Sequence, residues 1–385
     1  MRIGFDAKRA AQNRTGLGNY SRFVLRLLSQ YEPENEYHLY IPDERRTPYL
    51  NEIPTLTALR LHFPATGIWR RLRSAWRVLG VTKDVRRHGI GIFHGLSNEL
   101  PLNIRRAGCK SIVTIHDLIF ISHPQYYHPI DRWIYGYKFK RACRMADRII
   151  AVSEYTKREI IRNYGTPAEK IDVVYQGCDP VFSKEIARET LSEVKERYRL
   201  PDRFILYVGS IEERKNLMVV ARALAAMRND GNRDAESIRV VAVGRHTPYE
   251  DKIKEFLAGN GLADSFTFHN NVPYADLPAF YRLSDAFVYP SRIEGFGIPL
   301  LEAASAGIPA IGCTGSCLEE AGGKGAIYTD PDDERQMADA LSLLWNDTGL
   351  RRRMADEGRI HAERFTDDKL LADLMKAYGK LSAGC

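Results

Sequence analysis

The chain has 385 residues, 44% hydrophobic and 27% charged, with a formal net charge of +7 and an isoelectric point near 9.0. That length exceeds one ordinary core and suits two domains, and no apolar run approaches the roughly 18 residues that a membrane-spanning helix needs. The positive balance suits an anionic small ligand, an anionic membrane surface or nucleic acid, and does not choose among them.

Met1-Arg-Ile-Gly-Phe-Asp-Ala7 reads as an immediate strand with no signal peptide, which predicts a cytoplasmic protein. The six cysteines (109, 143, 178, 313, 317 and 385) form no C-x-x-C pair and read as scattered reduced thiols. In the first half, apolar strands are predicted at Ile3–Phe5, Tyr37–Ile41, Leu59–Phe63, Ile90–Phe93, Ser111–Ile115, Arg148–Val152 and Val173–Tyr175. Helices are predicted between them, including Asn19–Tyr31, Ile130–Met145 and Glu154–Tyr164. Around Gly177-Cys-Asp-Pro180 the alternation pauses in a turn-rich stretch, the natural boundary. It resumes with strands at Phe204–Val208, Arg239–Val243, Phe266–His269, Ala286–Tyr289 and Pro309–Ile311. Helices follow near Asn216–Arg228, Glu334–Trp345, from Leu350, and at Asp367–Leu381. Strands separated by helices imply βαβ units, so the expected fold is α/β, two doubly wound domains facing across a cleft. The domains are 1–176 and 177–365, with a last helix, 366–385, crossing back to the first.

Several stretches could carry chemistry. Thr15-Gly-Leu-Gly-Asn-Tyr20 opens a helix after the first strand; it is either a plain glycine turn or a backbone that approaches phosphate. From Ile68 to His88, seven Lys or Arg face one acid, Asp84, with Trp69, Leu72, Trp76 and Leu79 at helical spacing. A basic amphipathic helix with tryptophans suits an anionic membrane interface, and equally an ordinary surface helix. Ile115-His-Asp117 ends a strand, where a histidine is structural or functional. Asp117 orients His116 or caps the next turn, and Ser153 reads as a helix N-cap. Arg214 and Lys215 stand together before a helix, unfavourably unless they bind something; Arg214 suits two phosphate oxygens and Lys215 supplies a point charge.

The stretch with the most information is Ser291-Arg-Ile-Glu-Gly-Phe-Gly-Ile-Pro-Leu-Leu-Glu302, a strand, a turn and a helix start with Pro299 at its first position. Gly295 and Gly297 let backbone come close to a ligand, the helix start favours an anion, and Glu294 and Glu302 either accept hydrogen bonds from hydroxyls or only complement the helix dipole. Asp330-Pro-Asp332 has the D-x-D form of a metal motif, but its place near the end of the chain and its central proline read as a turn.

The E-x7-E of E-G-F-G-I-P-L-L-E, together with these other stretches in order, resembles the donor-binding pattern of retaining family 4 glycosyltransferases, which have the GT-B fold. The resemblance implies catalytic contacts from His116, beside the reacting carbon, and from Glu294, on sugar hydroxyls. It implies donor binding by Gly16, Gly18, Arg214, Lys215, Gly295, Phe296 and Gly297, a ribose contact from Glu302, and a base contact from the Val272 backbone. Many relatives have an arginine where this chain has Ser210, so phosphate binding rests on Arg214 and Lys215. Neither metal nor other cofactor is expected. Phe5-Asp-Ala7, the glycine turn and Ile115-His-Asp-Leu-Ile-Phe120 look most like bacterial mannosyltransferases of surface-polysaccharide assembly. The expected donor is GDP-mannose, with a UDP-hexose as the alternative, and the expected acceptor a lipid-linked glycan at the inner face of the plasma membrane. The expected partners include an anionic membrane surface through 68–88 and no nucleic acid. A non-catalytic nucleotide- or polyanion-binding protein and an epimerase of the same fold are the rivals.

Overall fold

The structure, a computed structural model, describes residues 1–65 and 67–382. The chain divides into two compact units, one of Met1–Gln176 with the helix Asp367–Ser382, the other Gly177–Thr366. Cys385 lies outside the described residues; the other five cysteines are free thiols.

The first unit is built on seven parallel strands: β1 (Arg2–Asp6), β2 (Glu36–Tyr40), β3 (Leu59–His62), β4 (Ile92–Gly95), β5 (Lys110–Ile115), β6 (Arg148–Ala151) and β7 (Ile171–Val173). Their spatial order is β3-β2-β1-β4-β5-β6-β7. Ile3 and Phe5 on β1 and Ile112, Val113 and Ile115 on β5 are completely buried, as expected of parallel strands covered on both faces. The winding leaves β1 in one direction and β4 in the other, so the switch point lies between them. The helix Asp367–Ser382 is tied to this sheet: Arg26 pairs with Asp367 at 2.8 Å, and Tyr378 Oη lies 2.8 Å from His94 Nδ1.

The second unit has six parallel strands, β8 (Ile205–Val208), β9 (Val240–Val243), β10 (Phe266–His269), β11 (Ala286–Val288), β12 (Ala310–Cys313) and β13 (Ala326–Thr329), in the order β10-β9-β8-β11-β12-β13. Its switch point lies between β8 and β11. Sequence reading misses β13, a four-residue, mostly half-buried edge strand.

Two helices differ from expectation. The first begins at Gly16 rather than Asn19, so both glycines lie in its first turn. The helix expected over 68–88 is broken into Gly67–Arg71, Arg73–Ala75, a π-helical turn at Trp76–Gly80, and Val81–Arg87. The cause is packing. Trp76 is 1% exposed and donates from Nε1 to Asp84 at 2.8 Å, and the rings of Trp76 and Trp69 press on Gly80. Trp76 therefore serves the core, and Ile68, Leu72 and Leu79 remain exposed. Among the described residues, no helix is long and apolar enough to cross a membrane.

Candidate active site

In parallel sheets, ligands bind beyond the carboxyl ends of the strands at the switch point. In the second unit, that is where the loops after β8 and β11 converge. Lys215 Nζ contacts the Glu294 carboxylate and lies 2.5 Å from Tyr289 Oη. Arg214 approaches the other Glu294 oxygen at 3.2 Å and donates to the Ile293 carbonyl at 2.8 Å. Ser291 and Tyr289 donate to Glu294 at 2.6 and 3.1 Å. The loops also clasp directly, through Arg292 N–H and the Arg214 carbonyl at 3.0 Å. Cys317, after β12, donates from its sulfur to the carbonyls of Glu294 and Phe296 at 3.1 and 2.9 Å.

Burial alone would raise the Glu294 pKa, but Lys215 and Arg214 outweigh it and hold the carboxylate at about 2. Burial lowers the Lys215 pKa, with Glu294 opposing. A buried ion cluster contributes little net stability, because desolvation offsets attraction. At a switch point, ligand binding explains it better. Sequence spacing singled out Arg214, Lys215 and Glu294; Tyr289 and Ser291 were missed, since a tyrosine at a strand end and a serine in a turn carry no signal of their own.

The helix after this loop is Ile298–Ala306, which places Pro299 second rather than first. Gly297 caps it at φ +118°, where a Cβ would meet Leu318 at 2.8 Å. The Phe296 ring is buried against Phe365, centroids 5.4 Å apart, so only its backbone faces other duties. Glu302 stands apart from the ion cluster and accepts from Tyr281 Oη at 2.8 Å. Burial raises its pKa to about 7, with Tyr281 opposing and Asp179 adding. Val272 is half-buried in the loop after β10. Asp330 accepts from the Asp332 N–H at 2.8 Å, and Asp332 pairs with Arg292.

In the first unit, the helix Gly16–Tyr31 and His116 meet through Tyr20, whose ring stands edge-on to the imidazole at 4.6 Å. His116 Nε2 lies 2.9 Å from the Leu96 carbonyl and Nδ1 lies 3.3 Å from the Gln176 amide. The ring is therefore neutral with its proton on Nε2, and burial lowers its pKa to about 4. A sugar hydroxyl would have to take Nδ1 from Gln176. The His116 N–H donates to Asn98 Oδ1 at 2.7 Å, and Asn98 adopts φ +63° to reach it, a left-handed conformation that non-glycine residues adopt at a cost. Asp117 accepts from the Ile119 N–H at 3.1 Å, and Ser153 caps its helix by accepting from Thr156 N. The two glycines differ. A Cβ on Gly16 would meet open space, whereas one on Gly18 would run into the Asn13 carbonyl.

The family model described as Glycosyltransferase Family 4 matches residues 20–182, and that described as Glycosyl transferases group 1 matches residues 189–361. Among curated relatives, the O-antigen chain mannosyltransferase B of Escherichia coli is 26% identical, over 98% of this chain and 99% of its own. A solved glycosyltransferase from Rickettsia africae matches with a TM-score of 0.76 at 16% identity, covering 99% of this chain and 98% of its own. Anabaena HepE, solved in complex with UDP and glucose, matches with a TM-score of 0.75 at 16% identity, covering 99% of this chain and 100% of its own. With two parallel-sheet units in tandem and both domain models matched in order, the chain belongs to the GT-B glycosyltransferases that join a family 4 domain to a group 1 domain.

Proposed function

We propose that the protein is a retaining, metal-independent glycosyltransferase that moves mannose from GDP-mannose to a lipid-linked glycan in surface-polysaccharide synthesis. The observation that carries this reading is the Arg214–Lys215–Glu294 cluster at the second switch point. An incoming donor diphosphate takes over the two cations, with the start of the helix Ile298–Ala306 behind them, and so releases Glu294 to accept from sugar hydroxyls. Glu302 meets the ribose, and the Val272 backbone meets the base. The fixed cations and backbone N–H groups stabilise the leaving diphosphate. A leaving phosphate oxygen then takes the acceptor proton as the hydroxyl attacks the same face of the sugar. Transfer is expected to persist in excess chelator; abolition by chelator and restoration by manganese would overturn the metal-free mechanism.

The mannosyl donor is supported by the full-length similarity to the E. coli mannosyltransferase. A UDP-hexose donor is the second reading, favoured by the fold shared with HepE, which was solved with UDP and glucose. Thermal unfolding in the presence of GDP-, UDP-, dTDP- and ADP-sugars separates them, since a ligand at a hundred times its Kd stabilises by about 2.7 kcal/mol. GDP-mannose should give the largest shift. A shift with UDP-sugars alone selects the second reading, and no shift with any of them sinks both.

A further inference from the structure

Away from the donor half-site, the edge of the first sheet gathers three histidines that no sequence spacing connects. His38 and Tyr40 point to one face of β2, because side chains two apart on a strand share a face. Tyr40 is paired in register with His62 on the edge strand β3, which brings His62 to that same face. His88, at the end of the helix Val81–Arg87, covers both. The His62 and His88 rings stack at 4.1 Å, and His38 and His62 at 4.9 Å.

We propose that His38, His62 and His88 form a binding site for a borderline divalent transition-metal ion of the Zn²⁺ class. One nitrogen from each histidine lies within 4.8 Å of those from the other two. His38 Nδ1 and His62 Nε2 are 2.9 Å apart. Two nitrogens bound tetrahedrally at Zn–N distances of 2.0–2.1 Å stand about 3.3 Å apart, so this pair would open slightly and the rings would turn to aim their lone pairs at the ion. The outer contacts also fit. His38 is 4% exposed and its Nε2 has no hydrogen-bond partner, yet it faces Glu36 Oε2 at 3.8 Å. Closed to hydrogen-bond distance, that contact becomes the carboxylate–histidine arrangement which orients metal ligands. Tyr40 Oη, 2.9 Å from His88 Nδ1, steadies the third ring.

The surroundings do not expel a cation. Arg60 pairs with Glu36 at 3.0 Å and Arg87 with Asp84 at 3.2 Å, so the facing arginines have carboxylate partners. Imidazole donors select Zn²⁺, Co²⁺, Ni²⁺ and Cu²⁺ over Mg²⁺ or Ca²⁺. A bound ion would join the edge strands to the helix behind them.

The test uses the whole protein, stripped with chelator and dialysed. Co²⁺ titration, followed by visible d–d absorption, should show one equivalent bound in a low-coordinate site, displaced by Zn²⁺ and not by Mg²⁺. His62→Gln and His88→Gln, at half-buried positions, should each weaken binding by at least about a hundredfold with the wild-type circular dichroism retained. If the wild type takes up no Co²⁺, or both variants bind it as tightly as the wild type, the site is overturned and the rings are packing alone.

Discussion

Removing the Glu294 side chain would leave Lys215 buried without its counter-charge and Arg214 with Glu212 in place of two carboxylates, and breaking a buried pair in this way costs about 3–5 kcal/mol. Glu294→Ala therefore tests folding as much as chemistry. Glu294→Gln also removes the charge but keeps the shape and an acceptor oxygen for Lys215, and is the better probe: turnover should fall by at least about a hundredfold with thermal unfolding still cooperative, and near-normal turnover would remove Glu294 from the mechanism. Glu302 gives a prediction with the opposite sign. Its pKa, about 7, lies above the ordinary 4.5, so between those values the folded protein holds a proton that the unfolded chain releases. That stability is fully present below about pH 4.5 and is lost as pH rises through 7, by up to about 3 kcal/mol. Glu302→Gln stays neutral, so the variant should gain on the wild type across that window in urea unfolding; parallel pH curves would refute the buried proton. Both carboxylates were legible from their spacing. Their opposite charge states were not, because those depend on Lys215 and Arg214 for one and on burial beside Tyr281 for the other, partners from distant parts of the chain.

The helix starts differ in what their glycines do. Gly16→Ala meets open space and should fold like the wild type, while a donor-loop role predicts several-fold weaker binding of nucleoside diphosphate by calorimetry. Gly18→Ala drives a Cβ into a backbone carbonyl and should lower the melting temperature instead. If Gly16→Ala binds like the wild type, the loop does not border the diphosphate. Elements with strong periodicity or caps were readable to within a residue or two; Glu154–Tyr164 and Phe266–His269 stand as expected. The 68–88 stretch was not, since its period of apolar residues is helical even though Trp76 turns inward and Gly80 admits two indoles. A periodicity argument sees which residues are apolar and not which core receives them.

At the scale of the molecule, the membrane reading becomes a prediction about a different surface from the one periodicity suggested. Arg73 is held by Asp43 and Arg77 by Asp6 and Glu99, which leaves Arg70 and Arg71 exposed beside Ile68 and Leu72. Ile130 and Trp133, on the helix Pro129–Met145 of the same unit, are also exposed. Each basic residue near an anionic surface contributes about 1 kcal/mol, so Arg70→Glu with Arg71→Glu should weaken sedimentation with anionic vesicles at least tenfold, and salt should do likewise. Equal binding to neutral and anionic vesicles, or none to either, would discard the idea. The tie between the helix Asp367–Ser382 and the first sheet has a consequence for biosynthesis. A ribosome must make the whole of Gly177–Thr366 before it delivers Tyr378 to His94. The domain begun first is thus the domain finished last, and a nascent chain stalled at Thr366 carries a complete second unit behind an incomplete first one. Domains usually close in the order in which they emerge; here the unit begun first closes only after its last helix has been made.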